Sequence, residues 1–316
     1  MPWVVPVNPD GTNVYLLPKS KDKPADGFAA MLRTGNGFTQ VNKTEQTYAI
    51  GAVLKVMEGL EITGKFTYRN YAKEKLARSA SFQYAIRPNE VLTANGWPFN
   101  NRLKDGRDTY ENYVYDLYAN FHRTFADVHN VSAVVGTNYE TGHYKFVEPS
   151  GRDLTSEVLN DLSLSTGEKS VKSSQNEFAL MGYFARLSYD YNGRYLVEAN
   201  MRYDGTSRFP RNHRWGFFPS LALGRRISEE AFFAPVRPVV SNLKLRASLG
   251  SLGNQITDNA KKFNKNTFYP YMRLITLANT TTLNYIFDNA QATYASLGDP
   301  TSGSLTWETI VTQNVG

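Results

Sequence analysis

Two runs of alternating residues meet at one tight turn, and they constrain the fold more than any other feature of this sequence. Between residues 183 and 190 the odd positions are apolar or aromatic, whereas the polar residues, beginning with Arg186, fall at even positions. Between residues 195 and 204 the pattern repeats, with polar residues at even positions from Glu198 onward. A period of two places each set on one face of a β-strand. The sequence therefore predicts a hairpin with one apolar face and one polar face.

The length of the turn can be deduced from this alternation. A two-residue turn would place odd positions opposite even ones and set apolar side chains against polar ones. A three-residue loop, Tyr191–Gly193, restores the match, with its last residue in the left-handed conformation that glycine adopts without steric cost. This loop predicts that Tyr189 faces Tyr195 and that Arg186 faces Glu198.

A second hairpin follows the same rule, and further segments alternate along the chain. A glycine-ended loop at residues 57–59 sets Lys55 opposite Glu61. In all, the pattern predicts eight strands and the start of a ninth, near residues 48–56, 60–68, 117–125, 131–146, 183–190, 195–203, 215–226, 243–249 and 305–316. The mixed polar stretches 1–46, 70–110, 148–175 and 251–304 are predicted to be loops.

The connections alternate in length along the chain. They are short near residues 58, 128, 192 and 234, where the last includes a helical turn, and long near residues 90, 160, 209 and 278. Sandwiches do not usually have all their short loops at one end of the strands and all their long loops at the other. Transmembrane barrels do, with short turns on the periplasmic side and long loops on the extracellular side. Aromatic residues crowd both ends of the predicted strands, as in the girdles of such barrels.

Composition excludes several classes of protein. The mean hydropathy is −0.44, and no apolar run approaches the roughly 18 residues that a membrane-spanning helix needs. The chain has no Cys, which excludes disulfides and thiolate metal sites. Its four histidines lack metal-ligand spacing, and neither a nucleophile elbow nor an assignable carboxylate pair indicates an enzyme. We therefore expect no cofactor, no metal and no catalysis.

The positive charge of the chain is dispersed. The formal net charge is +6, but the longest basic runs are dipeptides, Arg225-Arg226 and Lys261-Lys262 among them. Because nucleic-acid binding needs a concentrated basic patch, we expect no nucleic-acid partner.

The predicted fold class is all-β: an incomplete, antiparallel, up-and-down transmembrane β-barrel segment with long extracellular loops and short periplasmic turns. A soluble carbohydrate-binding β-sandwich is the alternative. A sandwich would bury the apolar face of residues 183–189, whereas a barrel would expose that face to lipid.

A resemblance to a known family rests on an ordered series of short motifs. The longest is Arg202-Tyr203-Asp204-Gly205-Thr206-Ser207-Arg208-Phe209, and the others lie at residues 182–186, 192–196, 214–220, 226–230, 243–248 and 250–255. In this order the motifs resemble the SusC/RagA family, the TonB-dependent outer-membrane transporters of Bacteroidetes that import glycans or peptides. Looser similarity extends back to about Ala49.

The resemblance implies a location in the cell outer membrane in contact with its lipid. It also implies partners: a SusD-like surface lipoprotein, the TonB complex through an N-terminal region, and a glycan or peptide as solute. Residues 1–316 are expected to be part of one barrel domain, since no TonB box, plug domain or complete final strand is found in the sequence. One departure is Arg225, which stands where the family usually has Trp; near an interface, Arg can extend its head group toward water.

The polar face of the strands carries the candidate solute-contacting residues. Those singled out for a barrel lumen are Arg186, Glu198, Arg202 and Arg246, from a polar set that also includes Lys65, Asn200 and Lys244. These side chains can equally pair with one another or hold a plug, because polar interiors are the default in barrels. The loop aromatics can stack on sugar rings or pack within the loops; these are Trp97, Phe99, Tyr269 and Tyr271.

Overall fold

The computed structural model describes residues 9–11, 37–80, 82–85, 91–94, 101–156, 158–255, 268–273, 275–278, 286–287, 290–291, 294–298 and 302–316. These residues form the strands β1 (Gly37–Met57), β2 (Leu60–Ser79), β3 (Phe82–Ala85), β4 (Val91–Ala94), β5 (Arg102–Phe125), β6 (His129–Arg152), β7 (Lys169–Tyr191), β8 (Tyr195–Thr206), β9 (Trp215–Arg226), β10 (Lys244–Asn254), β11 (Ile275–Ala278), β12 (Ile286–Phe287), β13 (Ala290–Gln291), β14 (Tyr294–Leu297) and β15 (Glu308–Val315). Short 3-10 helices lie at Leu162–Leu164, Arg211–His213, Ile227–Glu229 and Ala231–Phe233. Within these ranges no helix is long and apolar enough to cross a membrane.

Nine of the strands form one sheet in the order β1-β2-β5-β6-β7-β8-β9-β10-β15. Each strand therefore pairs with its neighbours along the chain, apart from the small hairpins β3-β4, β11-β14 and β12-β13 that lie in the connections. In the described part of the chain the sheet is open, with β1 and β15 at its edges, as predicted. The fold class is confirmed: an antiparallel up-and-down sheet that does not close on itself.

The apolar face of this sheet stays exposed. Tyr183 and Leu187 on β7 are 46% and 52% exposed, and Leu221 and Leu223 on β9 are 46% and 48% exposed. A sandwich would cover this face with a second sheet. The described residues contain no such second layer, so the sandwich alternative is wrong.

Several strands are longer than predicted. β1 begins at Gly37, inside a stretch predicted to be loop, and β2 continues to Ser79. β5 begins at Arg102, and β6 continues to Arg152. The predicted loops at 1–46, 70–110 and 148–175 were therefore wrong over these segments, because a strand that is polar on both faces has no alternation to reveal it.

The register of the β7-β8 hairpin differs from the prediction by two residues. Tyr189 faces Val197 rather than Tyr195, and Arg186 faces Asn200 rather than Glu198. Odd positions still face odd positions, so the apolar and polar faces sort as predicted.

Backbone geometry at the turn explains the shift. Asn192 and Gly193 both have positive φ, 47° and 67°, and the Arg194 N–H donates to the Tyr191 carbonyl at 2.9 Å. This is a two-residue turn of the type that Asn-Gly favours. Arg194 then acts as an extra residue, so that Tyr191 pairs with Tyr195 and the parity is restored.

In the β1-β2 hairpin the side chains of Lys55 and Glu61, predicted to face each other, are in contact. Lys55 Nζ lies 3.9 Å from the Glu61 carboxylate, and Tyr48 stacks on Tyr68 at 6.3 Å between ring centroids, as the same register requires. Only the glycine of this loop, Gly59, has a positive φ, 81°. A single left-handed residue at the end of the loop is the geometry predicted for both hairpins.

The contacts of the chain divide it into two units. The first comprises Met1–Gln46, Asn70–Tyr110 and Tyr144–Gln175, and its buried apolar residues include Leu103, which is 1% exposed. In this unit Asp108 accepts hydrogen bonds from Lys73 Nζ at 3.0 Å and from the Tyr144 hydroxyl at 2.9 Å.

The second unit comprises Thr47–Arg69, Glu111–His143 and Asn176–Gly316. Its buried apolar residues include Phe209 and Phe218. The exposed apolar face and the predicted candidate residues also lie in this unit, which therefore contains the candidate site.

Candidate functional site

Glu198 is the centre of a hydrogen-bonded group on the polar face. Arg186 Nη2 donates to its Oε2 at 2.5 Å, the Ser188 hydroxyl donates to the same oxygen at 3.2 Å, and Asn200 Nδ2 donates to Oε1 at 3.0 Å. Because Ser188 is directly opposite Glu198, Arg186 reaches the carboxylate diagonally. The ion pair predicted from the sequence thus forms despite the shifted register.

Arg202 does not join this group. Its Nε and Nη2 donate to the two carboxylate oxygens of Asp204 at 3.0 and 2.8 Å, and its guanidinium lies 5.9 Å from the centre of the Phe184 ring. Gly182 faces Asp204 across the strand pair, and a side chain at Gly182 would overlap the carboxylate. The charge of Arg202 is therefore neutralised locally by a bidentate ion pair.

Arg246 lines a groove of about 450 Å³ together with Glu198, Lys244 and Asp190. Small residues lie between these charges: Ala222, Gly224 and Ser248. Of the four predicted residues, the structure therefore brings Arg186, Glu198 and Arg246 to one region of the polar face and leaves Arg202 paired elsewhere.

The two carboxylates of the groove already have partners. Glu198 is held by Arg186, and Asp190 accepts the Gly193 N–H at 2.8 Å and Asn130 Nδ2 at 3.2 Å. Sequence analysis did not assign Asn130 or this role of Asp190, because the turn that brings Gly193 back to Asp190 was predicted in a different register.

The motif at residues 202–209 connects elements of the second unit. The Ser207 N–H donates to the Ala179 carbonyl at 2.9 Å, and the Ala179 N–H donates to Ser207 Oγ at 2.9 Å. Arg208 lies over the rings of Phe178 and Phe268 at 4.8 and 5.2 Å. These contacts give the motif a structural role at this end of β8.

The last residue of the motif, Phe209, is 1% exposed and packs edge-on against Trp307 with ring centroids 5.7 Å apart. The Trp307 indole N–H donates to the Arg214 carbonyl at 2.8 Å. Sequence analysis missed Trp307, since its partners lie about a hundred residues earlier and no local pattern marks them.

Two of the four loop aromatics lie among the described residues. Tyr269 and Tyr271 pack edge-on at 6.2 Å, and the Tyr269 hydroxyl donates to the Glu177 carbonyl at 2.5 Å. Trp97 and Phe99 lie outside the described residues. Within the described ranges, no group of three or more His, Asp or Glu side chains could hold a metal ion.

The chain is similar in sequence to curated TonB-dependent receptors. It is 34% identical over 208 residues to the TonB-dependent receptor SusC of Bacteroides thetaiotaomicron, a match that covers 65% of this chain and 19% of SusC. It is 28% identical over 204 residues to the TonB-dependent receptor P39 of Formosa agariphila, covering 60% of this chain and 19% of that protein. The chain thus spans about a fifth of the length of these relatives. No protein-family model matches it.

The fold is similar to solved structures of a much longer chain. Against the structure of the RagAB peptide transporter the TM-score is 0.75 at 16% identity, covering 96% of this chain and 30% of that one. For the open-open state of the RagAB peptide importer the TM-score is 0.74 at 18% identity, covering 98% and 31%. The predicted resemblance to SusC/RagA transporters is confirmed: SusC is among the sequence relatives, and RagAB shares the fold.

Proposed function

We propose that this chain is part of the wall of a TonB-dependent outer-membrane transporter that imports oligosaccharides or peptides. The observation that carries the proposal is the two-sidedness of the nine-stranded sheet. One face exposes large apolar side chains, and the other carries ion pairs and cations for which the described residues provide no ion-pair partner. A sheet of this kind is stable when lipid covers the first face and an aqueous lumen wets the second.

Aromatic contacts on the apolar face support a position across the outer membrane. At one end of the strands Trp215 stacks on Tyr203 at 4.7 Å and on Tyr183 at 6.2 Å. At the other end, Tyr191 packs on Tyr195 at 6.3 Å. Aromatic rings at both ends of an apolar band match the girdles that lie at the two membrane interfaces.

The domain and partner assignments belong to the same proposal. Residues 1–316 would be part of one barrel domain, with a plug supplied by the longer protein. The TonB complex would provide energy, and a SusD-like lipoprotein would hold the solute at the surface. Two similarities support these assignments. SusC, a sequence relative, is described as a TonB-dependent receptor, and RagAB, which shares the fold, is described as a peptide transporter.

The polar face would line the solute path. Arg202 is paired to Asp204, and Arg186 to Glu198, so these side chains would shape the wall rather than bind solute directly. Arg246 has no such ion pair among the described residues and would be the residue most available to a passing solute.

Uptake of the cognate solute tests the proposal. A strain lacking the full-length gene would be supplied with the full-length protein or with the same protein from which residues 176–254 are deleted, and radiolabelled solute uptake would be measured with and without TonB. We expect TonB-dependent uptake from the first protein only. Uptake that continues after the deletion, or uptake that does not depend on TonB, would contradict the proposal.

A further inference from the structure

Two cations in the groove on the polar face lack ion-pair partners among the described residues. Lys244 and Arg246 lie two positions apart on β10, so both side chains project from the same face. Lys244 is also directly opposite Arg226 of β9. Like charges placed opposite each other repel.

The two side-chain carboxylates that line the groove with these cations are already engaged. Glu198 accepts hydrogen bonds from Arg186, and Asp190 accepts them from Asn130 and from a turn amide. Lys244 and Arg246 are both exposed, and neither has an ion-pair partner in the part of the chain that the structure describes. A ligand that brings acceptor oxygens and negative charge would satisfy them.

The strand residues around the cations leave room for such a ligand. Gly224 lets the aliphatic part of Lys244 lie close to β9, since a Cβ there would lie 3.2 Å from Lys244 Cε. Ala222 and Ser248 keep the neighbouring positions small. Since the groove has a volume of about 450 Å³, it can hold a carboxylate, sulfate or phosphate group with part of the molecule that carries it.

We propose that Lys244 and Arg246 form a binding site for an anionic group of the transported solute. The inference deepens the proposed function, because it rests on the polar face being a lumen and names the class of solute as acidic. The solute would carry a carboxylate, sulfate or phosphate that the two cations bind while it passes along the wall.

Thiol reactivity in the full-length protein tests the site without requiring transport. Ser248, which lines the groove, would be changed to Cys in a full-length protein whose other cysteines are replaced by Ser. The rates of reaction with an anionic sulfonate-bearing methanethiosulfonate and with its cationic trimethylammonium analogue would then be compared. A control protein would carry S248C and K55Q, which removes a cation from β1 at the other edge of the sheet.

We expect the sulfonate reagent to react faster than the cationic reagent, and the ratio of rates to fall on the order of tenfold in K244Q/R246Q. The ratio should be unchanged in the K55Q control and should collapse toward one at about 1 M salt, where the screening length is only about 3 Å. An unchanged ratio in K244Q/R246Q would overturn the site, as would failure of both reagents to react because an acidic segment of the protein fills the groove. The proposed function fails separately, through loss of TonB-dependent uptake, which this assay does not measure.

Discussion

Replacing Phe209 by Ala should release the segment that joins β8 to β9. Phe209 is 1% exposed and packs edge-on against Trp307, which also packs edge-on against Phe218 at 5.3 Å. The F209A substitution would leave a cavity beneath the segment and remove one partner of the Trp307 ring. Its effect should therefore be larger than that of a substitution at an exposed position.

The magnitude follows from the cost of emptying a buried aromatic site. Phe to Ala in a core costs about 3–5 kcal/mol, and an aromatic pair adds roughly 0.5–1.5 kcal/mol beyond area burial. Because the segment lies at one end of the sheet and can relax, we expect F209A to lower the free energy of opening this segment by about 3 kcal/mol, the lower end of that range. Since about 1.4 kcal/mol is a factor of ten in an equilibrium constant, local opening should become more frequent by a factor on the order of 100.

Hydrogen exchange of the full-length protein, read by mass spectrometry on peptides covering residues 204–215, measures this opening. The reporting amides include Thr206 N–H, bonded to the Arg214 carbonyl at 3.1 Å, and Ser207 N–H. The matched control is F217A, the same substitution on the adjoining strand β9 at a side chain that is 58% exposed, where no cavity forms. Protection that falls less than about threefold in F209A, or equally in both variants, would refute the assignment of Phe209 as the anchor.

Three further outcomes are expected. Gly59→Ala should lower the free energy of unfolding of the full-length protein by about 1–2 kcal/mol in a urea titration, because φ is 81° and an added Cβ would meet a backbone carbonyl of β5. A double-mutant cycle with Arg186→Gln and Glu198→Gln should give a coupling free energy of at most about 1 kcal/mol, since both side chains are partly exposed. A clearly larger coupling would mean that water is excluded from the ion pair. The hydrogen bond from Arg225 holds the pKa of Glu230 below its usual range, so the stabilisation is present above the usual pKa and is lost as pH falls through the lowered pKa. The protection factor of the peptide that contains Glu230, which is the intrinsic exchange rate at each pH divided by the observed rate, should therefore fall in acid, and Glu230→Gln should remove that dependence.

The faces of the strands could be predicted from sequence, whereas the register at one hairpin could not. Alternation requires only that odd positions face odd positions, and two turns satisfy that requirement at Asn192-Gly193. One is a three-residue loop with a left-handed glycine, and the other is a two-residue turn followed by an extra residue. Asn tolerates the left-handed conformation, and the Asn192 N–H donates to the Val128 carbonyl at 2.7 Å. That bond comes from a neighbouring turn, so a local pattern could not reveal it.

The ends of the long strands could not be predicted from the sequence, for a different reason. Residues 70–79 of β2 are mixed polar and charged, which is the composition of a loop. They are strand because β2 lies between β1 and β5 in the sheet, where Lys73 Nζ donates to Asp108 of β5 at 3.0 Å. The residues of the candidate site could be predicted, but which of them are directly opposite each other could not. The contact of Arg186 with Glu198 is diagonal because of the register.

Arg225 shows how a charged residue is accommodated on the face that would meet lipid. Its Nε and Nη2 donate to Glu230 Oε1 at 3.1 and 2.8 Å, and its guanidinium lies 5.4 Å from the centre of the Tyr195 ring. The Tyr195 hydroxyl donates to the same Glu230 oxygen at 2.8 Å. The arginine is therefore neutralised by an acid just beyond the strand end and lies against an aromatic ring, which an isolated charge in lipid would lack. Arg225, Glu230 and Tyr195 together form an aromatic surface with a satisfied polar group where the family usually has one Trp, so under the proposed function they would replace its interfacial anchor at this end of β9.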